Sequence, residues 1–485
     1  MTKDIRALEP TELWNNFADL NAVPRGSKKE EKVIQFMVDF GKKLNLDTIV
    51  DPVGNVIIKK PASKGMENRK TVVLQSHLDM VHQKNSDTNF NFDTDGIKMV
   101  IDGDWVRADG TTLGADNGMG VAAIMSILAS KTIKHPAIEA LLTIDEETGM
   151  TGAKGLQANY LNGEILLNLD TEDDDEIDIG CAGGIDVTAD NTYHEVGAPV
   201  NSGGFSISIT GLKGGHSGMD IHKGLGNANK IMNRLLYETK DFIRISEING
   251  GSLRNAIPRE SFATISVADV RKDAFIKKVN IIAKEIKTEQ STVDPNLEIK
   301  ISEVAKPERV MTTISQNTLL NAIYTAHNGV YRMSHDMEDL VETSNNVARI
   351  IVKDESIKIL CLTRSSVESS KFDLANALKA AFEMAGYTVT LSGSYPGWKP
   401  NVTSPILKTL SETYEKLFNE KANVVACHAG LECGILGTNY PEMDMISFGP
   451  TIQGAHSPDE KANIKSSQKF WKFLLTILEN IPLKK

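Results

Sequence analysis

The chain has 485 residues, 41% of them hydrophobic and 24% charged, a composition that excludes disordered and fibrous proteins. Its net charge of −11 makes nucleic acid and anionic membrane surfaces unfavourable partners. A chain of this length exceeds one ordinary hydrophobic core, so we expect a globular protein of two domains.

The sequence also predicts where the protein resides. Its N-terminal segment lacks the apolar stretch of a secretory signal, and no apolar run reaches the roughly 18–20 residues that span a bilayer. The cysteines are few and form no C-x-x-C pair, which is typical of free thiols in a reducing cytosol. They are Cys181, Cys361, Cys427 and Cys433. We therefore predict a cytoplasmic protein without membrane or nucleic-acid partners.

The first third of the chain alternates helical and strand patterns. Two amphipathic helices are predicted within residues 11–44, and a buried helix follows at 118–130. The predicted strands are residues 53–60, 71–76, 138–144 and 164–169. Strands that alternate with helices predict an α/β domain with a mostly parallel sheet.

The pattern changes near Gly183 and Gly184. From residue 205 to 391 the strands alternate polar and apolar side chains, which is typical of antiparallel sheet with one solvated face. Strands and helices follow the β-α-β-β-α-β order of a ferredoxin-like unit, here in an α+β domain. A weaker second copy follows at 319–392, so the domain is either single or duplicated.

The α/β pattern returns after Gly397, with a helix at 404–419, a strand at 443–448 and a closing helix at 464–478. We therefore predict one α/β domain formed by residues 1–184 and 398–485. The α+β domain of residues 185–397 is inserted into it, since the termini of an inserted domain usually lie close together.

Acidic and histidine residues stand at the strand ends and before the buried helix of the α/β domain. In chain order they are His77, Asp79, Asp116, Glu146, Glu147 and Asp170. Ligands of open α/β sheets bind outside the carboxyl ends of the strands, where this many charged groups would repel one another without bound cations. Because imidazole and carboxylate are the usual zinc ligands outside thiolate sites, we predict a site for two zinc ions.

The same residues suggest a division of roles. Of the adjacent Glu146 and Glu147, one can bind metal while the other remains free as a general base. Asp79 could accept the second N–H of His77 and fix its tautomer. His456, in a late loop rich in Gly, Pro and Ser, is the candidate fifth ligand. Each motif alone is more often a turn, a helix cap or a solvated loop, but their joint order indicates a metal site.

The ordered motifs H-x-D, G-A-D-N-G, D-E-E, L-D, G-G-H-S-G and A-H-S-P-D-E resemble the metallopeptidase family of aminoacylases, glutamate carboxypeptidases and dipeptidases. The large inserted domain and the segments 394–400 and 427–433 are most similar to its aminoacyl-histidine dipeptidase branch. The resemblance implies hydrolysis of unblocked dipeptides, especially Xaa-His, by a zinc-bridging water that Glu146 activates. Two Zn²⁺ per chain are implied, with Co²⁺ or Mn²⁺ as substitutes.

The resemblance also assigns ligands. His77 and Asp170 would bind one zinc, Glu147 and His456 the other, and Asp116 would bridge them. Asp79 would orient His77, and the peptide bond after Asp116 is often cis in the family.

In the inserted lid domain the resemblance implies substrate-binding residues. His216 would polarise the scissile carbonyl, and Asn255 would make a second contact. Arg364 would bind a substrate carboxylate, and Gly430 would offer its backbone. Because the lid and the zinc site lie on different domains, catalysis would require closure.

Several alternatives stay open. An N-acyl-amino-acid deacylase or a tripeptidase would share the mechanism. A non-catalytic metal or peptide binder would not need the free base Glu146, and a cation-binding regulatory protein would not need His216. The family favours a homodimer through the lid domain, whereas a duplicated lid would let a monomer suffice.

Overall fold

The computed structural model describes residues 4–484. The N-terminal segment, for which the sequence predicts no secretory signal, begins with residues 1–3, and these three lie outside the described residues. The chain divides into two compact units. Unit 1 runs to Gly180 and includes Pro400–Ala426 and the chain from Leu431 onward, and unit 2 comprises Cys181–Lys399 and Cys427–Gly430.

The N-terminal part of unit 1 alternates helices and strands. Its helices are α1 (Thr11–Asn21), α2 (Glu31–Lys43), α3 (Ala115–Ala129) and α4 (Thr151–Gly155). Its strands are β1 (Asp47–Val50), β2 (Val56–Lys60), β3 (Val72–His77), β4 (Met99–Asp102), β5 (Trp105–Ala108), β6 (Ile138–Thr143), β7 (Ile165–Asn168) and β8 (Glu176–Cys181). Every residue of β3, β6 and β7 is buried, as expected for strands covered on both faces.

Unit 2 is dominated by antiparallel strands. They are β9 (Gly183–Thr192), β10 (Glu195–Gly197), β11 (Ser202–Thr210), β12 (Gly215–His216), β13 (Ile243–Gly251), β14 (Ala256–Ile257), β15 (Ser261–Ala268), β16 (Glu298–Val304), β17 (Arg309–Met311), β18 (Gly329–Met333), β19 (Val341–Lys353), β20 (Ser356–Ser365) and β21 (Thr388–Tyr395). The helices are α5 (Ala228–Glu238), α6 (Lys272–Gln290), α7 (Thr313–Thr325) and α8 (Glu368–Met384).

The rest of unit 1 follows unit 2 in the chain. Its helices are α9 (Pro405–Phe418), α10 (Glu432–Asn439) and α11 (Ile464–Asn480), and its strands are β22 (Asn423–Cys427), β23 (Asp444–Ser447), β24 (Ile452–Gln453) and β25 (Lys461–Asn463). The main sheet has the order β1-β2-β6-β3-β7-β23-β8-β22, and β24-β25-β5-β4 form a smaller sheet. Strands β6, β3, β7 and β23 are parallel, so their carboxyl ends meet at one edge.

The large sheet of unit 2 has the order β16-β11-β15-β13-β19-β20-β9-β21, with β18 paired to β19. Its first half, β11-α5-β13-β15-α6-β16, has the spatial order β16-β11-β15-β13. Its second half, β9-α7-β19-β20-α8-β21, repeats this order as β21-β9-β20-β19. The halves join where β13 and β19 pair antiparallel, from Ile248 with Val352 to Gly251 with Arg349. Unit 2 is therefore a duplicated ferredoxin-like domain.

The duplication differs from the predicted second copy in one respect. The sequence pattern places that copy at 319–392 and gives it no first strand. In the structure β9 is its first strand, and the whole first half of unit 2 is inserted between β9 and α7. The sequence pattern does not predict β9 because the strands that pair with it, β20 and β21, follow so late in the chain. The predicted fold class, an α/β domain with a mostly parallel sheet and an inserted α+β domain, is confirmed. Among residues 4–484 no helix is long and apolar enough to cross a membrane.

Candidate active site

The five predicted metal ligands lie together at the carboxyl edge of the main sheet of unit 1. Ligand atoms of His77, Asp116 and Asp170 lie within 4.8 Å of one another, and so do those of Asp116, Glu147 and His456. Asp116 belongs to both groups. This arrangement fits two cations that share one carboxylate.

The individual distances support this arrangement. His77 Nε2 lies 3.1 Å from Asp116 Oδ1 and 3.4 Å from Asp170 Oδ1. His456 Nε2 lies 3.2 Å from Asp116 Oδ2 and 2.8 Å from Glu147 Oε2. Asp170 Oδ1 and Glu147 Oε1 are buried and, among residues 4–484, accept no hydrogen bond of good geometry. Because buried carboxylate oxygens normally have a partner, these two atoms fit metal ligation.

The close packing of these carboxylates and histidines shifts their pKa values. Burial would raise the pKa of Asp116, but hydrogen bonds from His456 and His77 lower it well below its ordinary value. Hydrogen bonds to Asp116 and Glu147 raise the pKa of His456 to about 11. Burial raises the pKa values of Glu147 and Asp170. Protonated histidines thus balance the carboxylates, and bound cations would displace those protons.

The backbone presents Asp116 at the beginning of α3. Gly114 has φ 71°, and the Asp116–Asn117 peptide bond is cis. The φ/ψ values of Asp116 and Asn117 are not helical, so the regular part of the helix begins after them. The cis bond after Asp116, which the family resemblance implies, is confirmed.

Asp79 contacts more of the site than its predicted role requires. His77 Nδ1 lies 3.1 Å from the Asp79 carbonyl oxygen and 3.4 Å from its carboxylate. The Asp79 carboxylate also accepts the backbone N–H groups of Glu146 and Glu147 at 3.0 and 3.3 Å, and the Ser27 hydroxyl at 2.8 Å. One buried side chain therefore holds both the histidine and the loop that carries the two glutamates.

Glu146 differs from its neighbour in contacts. Within residues 4–484 its carboxylate makes no hydrogen bond or ion pair, whereas Glu147 pairs with His456. Burial raises the pKa of Glu146 well above its ordinary value, and the nearby Asp170, Glu432 and Glu147 raise it further, against a lowering by His77. A carboxylate without a ligand role and with a raised pKa suits general acid–base chemistry.

Sequence reasoning missed a buried polar row beneath the ligands. Its members are Glu432, Gln75, Asn168, Ser447, Thr171 and Asp178. Glu432 Oε2 accepts hydrogen bonds from Gln75 Nε2 and Thr143 Oγ1, each at 2.6 Å. Gln75 accepts in turn from Asn168. Burial raises the pKa of Glu432 to about 8, so this carboxyl is protonated at neutral pH.

The buried polar row crosses β3, β7, β23 and β8, which are neighbours in the sheet. Ser447 Oγ donates to Asn168 at 2.5 Å and lies 2.8 Å from Thr171 Oγ1, which donates to Asp178 Oδ2 at 2.8 Å. Gln75 and Asn168 each stand two residues before a ligand. Their polarity within apolar strands is the signal that could have revealed the row.

In unit 2 the structure brings Arg364 and His216 together. Arg364 is 4% exposed and donates to Tyr395 Oη at 2.9 Å. Its other contacts are His216 Nε2 at 3.3 Å and Ser217 Oγ at 3.4 Å. Within residues 4–484 no carboxylate forms an ion pair with this guanidinium. A buried guanidinium without a carboxylate partner is suited to an anionic ligand group.

Histidine 428, which sequence reasoning missed, belongs to the same cluster. Its Nε2 lies 2.8 Å from Ser344 Oγ, and its Nδ1 is buried. Burial and Arg364 lower the pKa of His216 to about 4 and that of His428 to about 3. Both imidazoles are neutral at neutral pH, so Arg364 supplies the positive charge.

The two remaining predicted substrate residues lie on connecting segments of unit 2. The Asn255 carbonyl accepts the Ser217 N–H at 2.8 Å, and Asn346 holds the carbonyls of the residues on either side of Asn255. Gly430 ends the segment Cys427–Gly430, which the Ala182 N–H fixes through two of its carbonyls.

The chain matches the sequence profile of peptidase family M20/M25/M40 over residues 73–480. It is 44% identical to the cytosol non-specific dipeptidase of Escherichia coli (strain K12) over 483 residues, which are 99% of this chain and 100% of that protein. The crystal structure of aminoacylhistidine dipeptidase from Vibrio alginolyticus has a TM-score of 0.94 and 45% identity, covering 100% of this chain and 99% of that one. A tripeptidase from Staphylococcus aureus shares the fold alone, with a TM-score of 0.57 and 16% identity over 98% and 99% of the two chains.

Proposed function

This chain belongs to peptidase family M20/M25/M40, and from that membership we propose that it is a metal-dependent dipeptidase that hydrolyses unblocked dipeptides. The observation that carries the proposal is the pair of ligand groups that share Asp116. Full-length similarity to two dipeptidases supports the substrate class.

The residues of unit 1 would hold two divalent cations, for which zinc is our proposal because the donors are imidazole and carboxylate. His77 and Asp170 would bind one cation, and Glu147 and His456 the other, with Asp116 shared. When bound, the cations supply Lewis acidity and lower the pKa of water.

Glu146 would act as the general base and then as the general acid. Its carboxylate is free of ligand contacts and lies in a loop held by Asp79. It would accept a proton from the attacking water and deliver it to the leaving amine. Asp79 would keep the ligand His77 and the base-bearing loop in fixed relation.

The residues of unit 2 would recognise the substrate. Arg364 would bind the dipeptide carboxylate, and the neutral His216 would donate a hydrogen bond to the scissile carbonyl. Asn255 and Gly430 would contribute the further contacts predicted from the sequence. The support for this assignment is the buried guanidinium that lacks a carboxylate partner.

Two relatives of nearly equal identity point to different breadths of substrate. One is named a non-specific dipeptidase of the cytosol and the other an aminoacylhistidine dipeptidase. We propose that Xaa-His dipeptides are among the substrates of a cytosolic enzyme with wider dipeptide activity.

The test is an assay of the zinc-loaded protein with Ala-His, β-Ala-His, Ala-Ala, a tripeptide and an N-acetyl amino acid, each with and without a chelator. We expect chelator-sensitive cleavage of the dipeptides only. A Glu146→Gln protein, purified and loaded identically, controls for contaminating peptidases. Preference for the tripeptide or the acetyl substrate would instead make the protein a tripeptidase or deacylase. Two bound cations without cleavage would make it a binding protein.

A further inference from the structure

One buried carboxyl group accepts four consecutive backbone N–H groups where α3 begins. Glu460 Oε2 accepts from Leu113 and Gly114 at 2.7 and 2.9 Å. Its Oε1 accepts from Ala115 and Asp116 at 2.7 and 3.2 Å. Glu460 is 2% exposed. Burial raises the pKa of this carboxyl, and the hydrogen bonds from the N–H groups oppose that effect. With two donors on each oxygen, the side chain has the contacts of a carboxylate in a concave nest of amides.

A buried arginine holds the carbonyl groups of the same region. Arg25, 1% exposed, donates through Nη1 to the carbonyls of Leu78 and Asp79, each at 3.1 Å. Its Nη2 donates to the Gly114 carbonyl and, at 3.0 Å, to Asn21 Oδ1. The guanidinium therefore ties the backbone just after ligand His77 to the backbone just before ligand Asp116.

The glycines of the G-A-D-N-G motif make room for this arginine. A Cβ atom on Gly114 would lie 2.5 Å from Arg25 Nη2, and one on Gly118 would lie 2.7 Å from the same atom. Gly114 also has φ 71°, which disfavours other residues. The spacing of the two glycines around Asp116 is thus explained by the guanidinium packed between them.

Neither charged side chain competes for a cation. Glu460 uses both oxygens on backbone amides, and Arg25 binds carbonyl oxygens and an asparagine. Burial lowers the pKa of Arg25 to about 10, with Glu460 and Asp79 opposing that effect, so it stays protonated at neutral pH. Their opposite charges hold the N–H and C=O groups of one short segment, Leu113–Asp116.

We propose that Glu460 and Arg25 are positioning residues of the two-cation site: together they fix the backbone from which Asp116 reaches both ligand groups. The inference rests on the proposed function, because it presupposes that Asp116 is shared by two cations. Glu460 also stands four residues after His456, so its anchorage ties the loop of that ligand to the same segment. A lost anchor should weaken both cation sites together.

The test compares Glu460→Gln with Asp51→Asn. Asp51 is a matched control: it is 4% exposed, lies in unit 1 and accepts the N–H groups of Val53, Gly54 and Asn55. Among residues 4–484 it makes no hydrogen bond with a candidate ligand or with Leu113–Asp116. Both changes place an amide N–H₂ against backbone donors. We expect Glu460→Gln to raise the dissociation constants of both Zn²⁺ ions at least about tenfold, a change of about 1.4 kcal/mol or more for each. Asp51→Asn should lower the melting temperature without changing either constant.

A second pair of measurements separates positioning from general destabilisation. The visible spectrum of the Co²⁺-loaded protein should change in Glu460→Gln and stay unchanged in Asp51→Asn. Arg25→Lys should reproduce the loss of affinity, because one ammonium cannot span three carbonyls, and it serves if Glu460→Gln does not fold. Unchanged Zn²⁺ constants and Co²⁺ spectra in the folded variants would overturn the positioning role and leave the proposed function intact. Failure of the parent protein to bind two cations would overturn both.

Discussion

At the scale of single residues, two adjacent glutamates at the carboxyl end of β6 differ in their contacts. Glu147 pairs with His456 at 2.8 Å, whereas the Glu146 carboxylate has no such partner within residues 4–484. We expect Glu146→Ala to retain two cations and to lose about 10²–10⁴-fold in kcat, the usual range for a general base. Glu147→Ala should lose cation as well as activity. Metal content by mass spectrometry, measured beside kcat, checks both statements.

Equal loss of metal in the two variants would mean that the base has been assigned to the wrong residue. Glu146→Gln is the matched control, because it keeps the size of the side chain and removes its basicity. It should be as inactive as Glu146→Ala and bind cations as the parent does.

The candidate histidine ligands predict that cation binding is linked to proton release. In the cation-free protein hydrogen bonds to Asp116 and Glu147 raise the pKa of His456 to about 11, above its unfolded value of about 6.5. The imidazolium therefore contributes stability that is complete below pH 6.5 and lost as the pH rises towards 11. Zinc needs the neutral ring, so binding at pH 7 should release protons and tighten with rising pH. Calorimetry of Zn²⁺ binding in buffers of different ionisation enthalpy measures this release, and a heat independent of buffer would contradict it.

The sequence indicated which residues the structure brings together as candidate ligands because chemistry and position agree there: each follows a buried strand or begins a buried helix. It did not predict Arg25 or Glu460, whose contacts are to backbone atoms far along the chain. Such contacts leave no pattern of side chains in the sequence. Two traces were present: the glutamate that ends the A-H-S-P-D-E motif, to which the sequence assigned no role, and the pair of glycines in G-A-D-N-G, which also fits an ordinary turn.

At the scale of elements, the buried polar row requires a hydrogen-bond partner for each of its side chains on the parallel strands. Gln75 of β3 links Glu432 of α10 to Asn168 of β7, so Gln75→Leu leaves both partners short of one buried hydrogen bond. We expect the free energy of unfolding to fall by about 2–6 kcal/mol, from roughly 1–3 kcal/mol for each of the two unsatisfied groups. Urea unfolding of the cation-free protein measures this, and a loss under about 0.5 kcal/mol would contradict the importance of the row.

Glu432→Gln is the informative companion variant. The folded pKa of Glu432, raised by burial to about 8, lies above its unfolded value of about 4.3. The folded state therefore holds a proton that the unfolded chain releases, and stability is lost as the pH rises from about 4.3 through 8. Glutamine removes that loss, so the variant should gain stability relative to the parent at pH 8 and not at pH 4. Parallel pH profiles for the two proteins would contradict the raised pKa.

Element type followed from periodicity with little ambiguity in unit 1, where β3, β6 and β7 are buried throughout and mostly apolar, and α3 is rich in small apolar residues. The sequence analysis did not predict strand β9 although its polar and apolar residues alternate. A strand is assigned to a ferredoxin-like unit when the strands that would pair with it lie near it in the sequence. Its neighbours β20 and β21 come after the entire first half of unit 2. The residues of β9 and its sequence neighbours therefore do not reveal a strand pairing that spans an insertion.

At the scale of the whole molecule, all predicted ligands lie in unit 1. Cation binding should therefore stabilise unit 1 by mass action and leave the intrinsic stability of unit 2 unchanged. In differential scanning calorimetry we expect two transitions, of which one moves to lower temperature after dialysis against a chelator. A single transition that moves as a whole would show that the units unfold together. The His77→Ala protein is the control, because its transitions should respond less to the chelator.

The insertion of one half of unit 2 into the other has a consequence for how the nascent chain acquires structure. The first half is continuous from β11 to β16, so its strands can pair as soon as they are synthesised. In the second half β9 is synthesised long before its partner β20, since Thr192 pairs with Ser356. The segment between these two strands contains the entire first half of unit 2. Closing so long a loop is slow for an unstructured chain and faster once the intervening segment is compact. The first half should therefore fold first and present the edge of β13, with which β19 then pairs. In hydrogen-exchange measurements during refolding, the amides of β11 and β15 should be protected before those of β9 and β20.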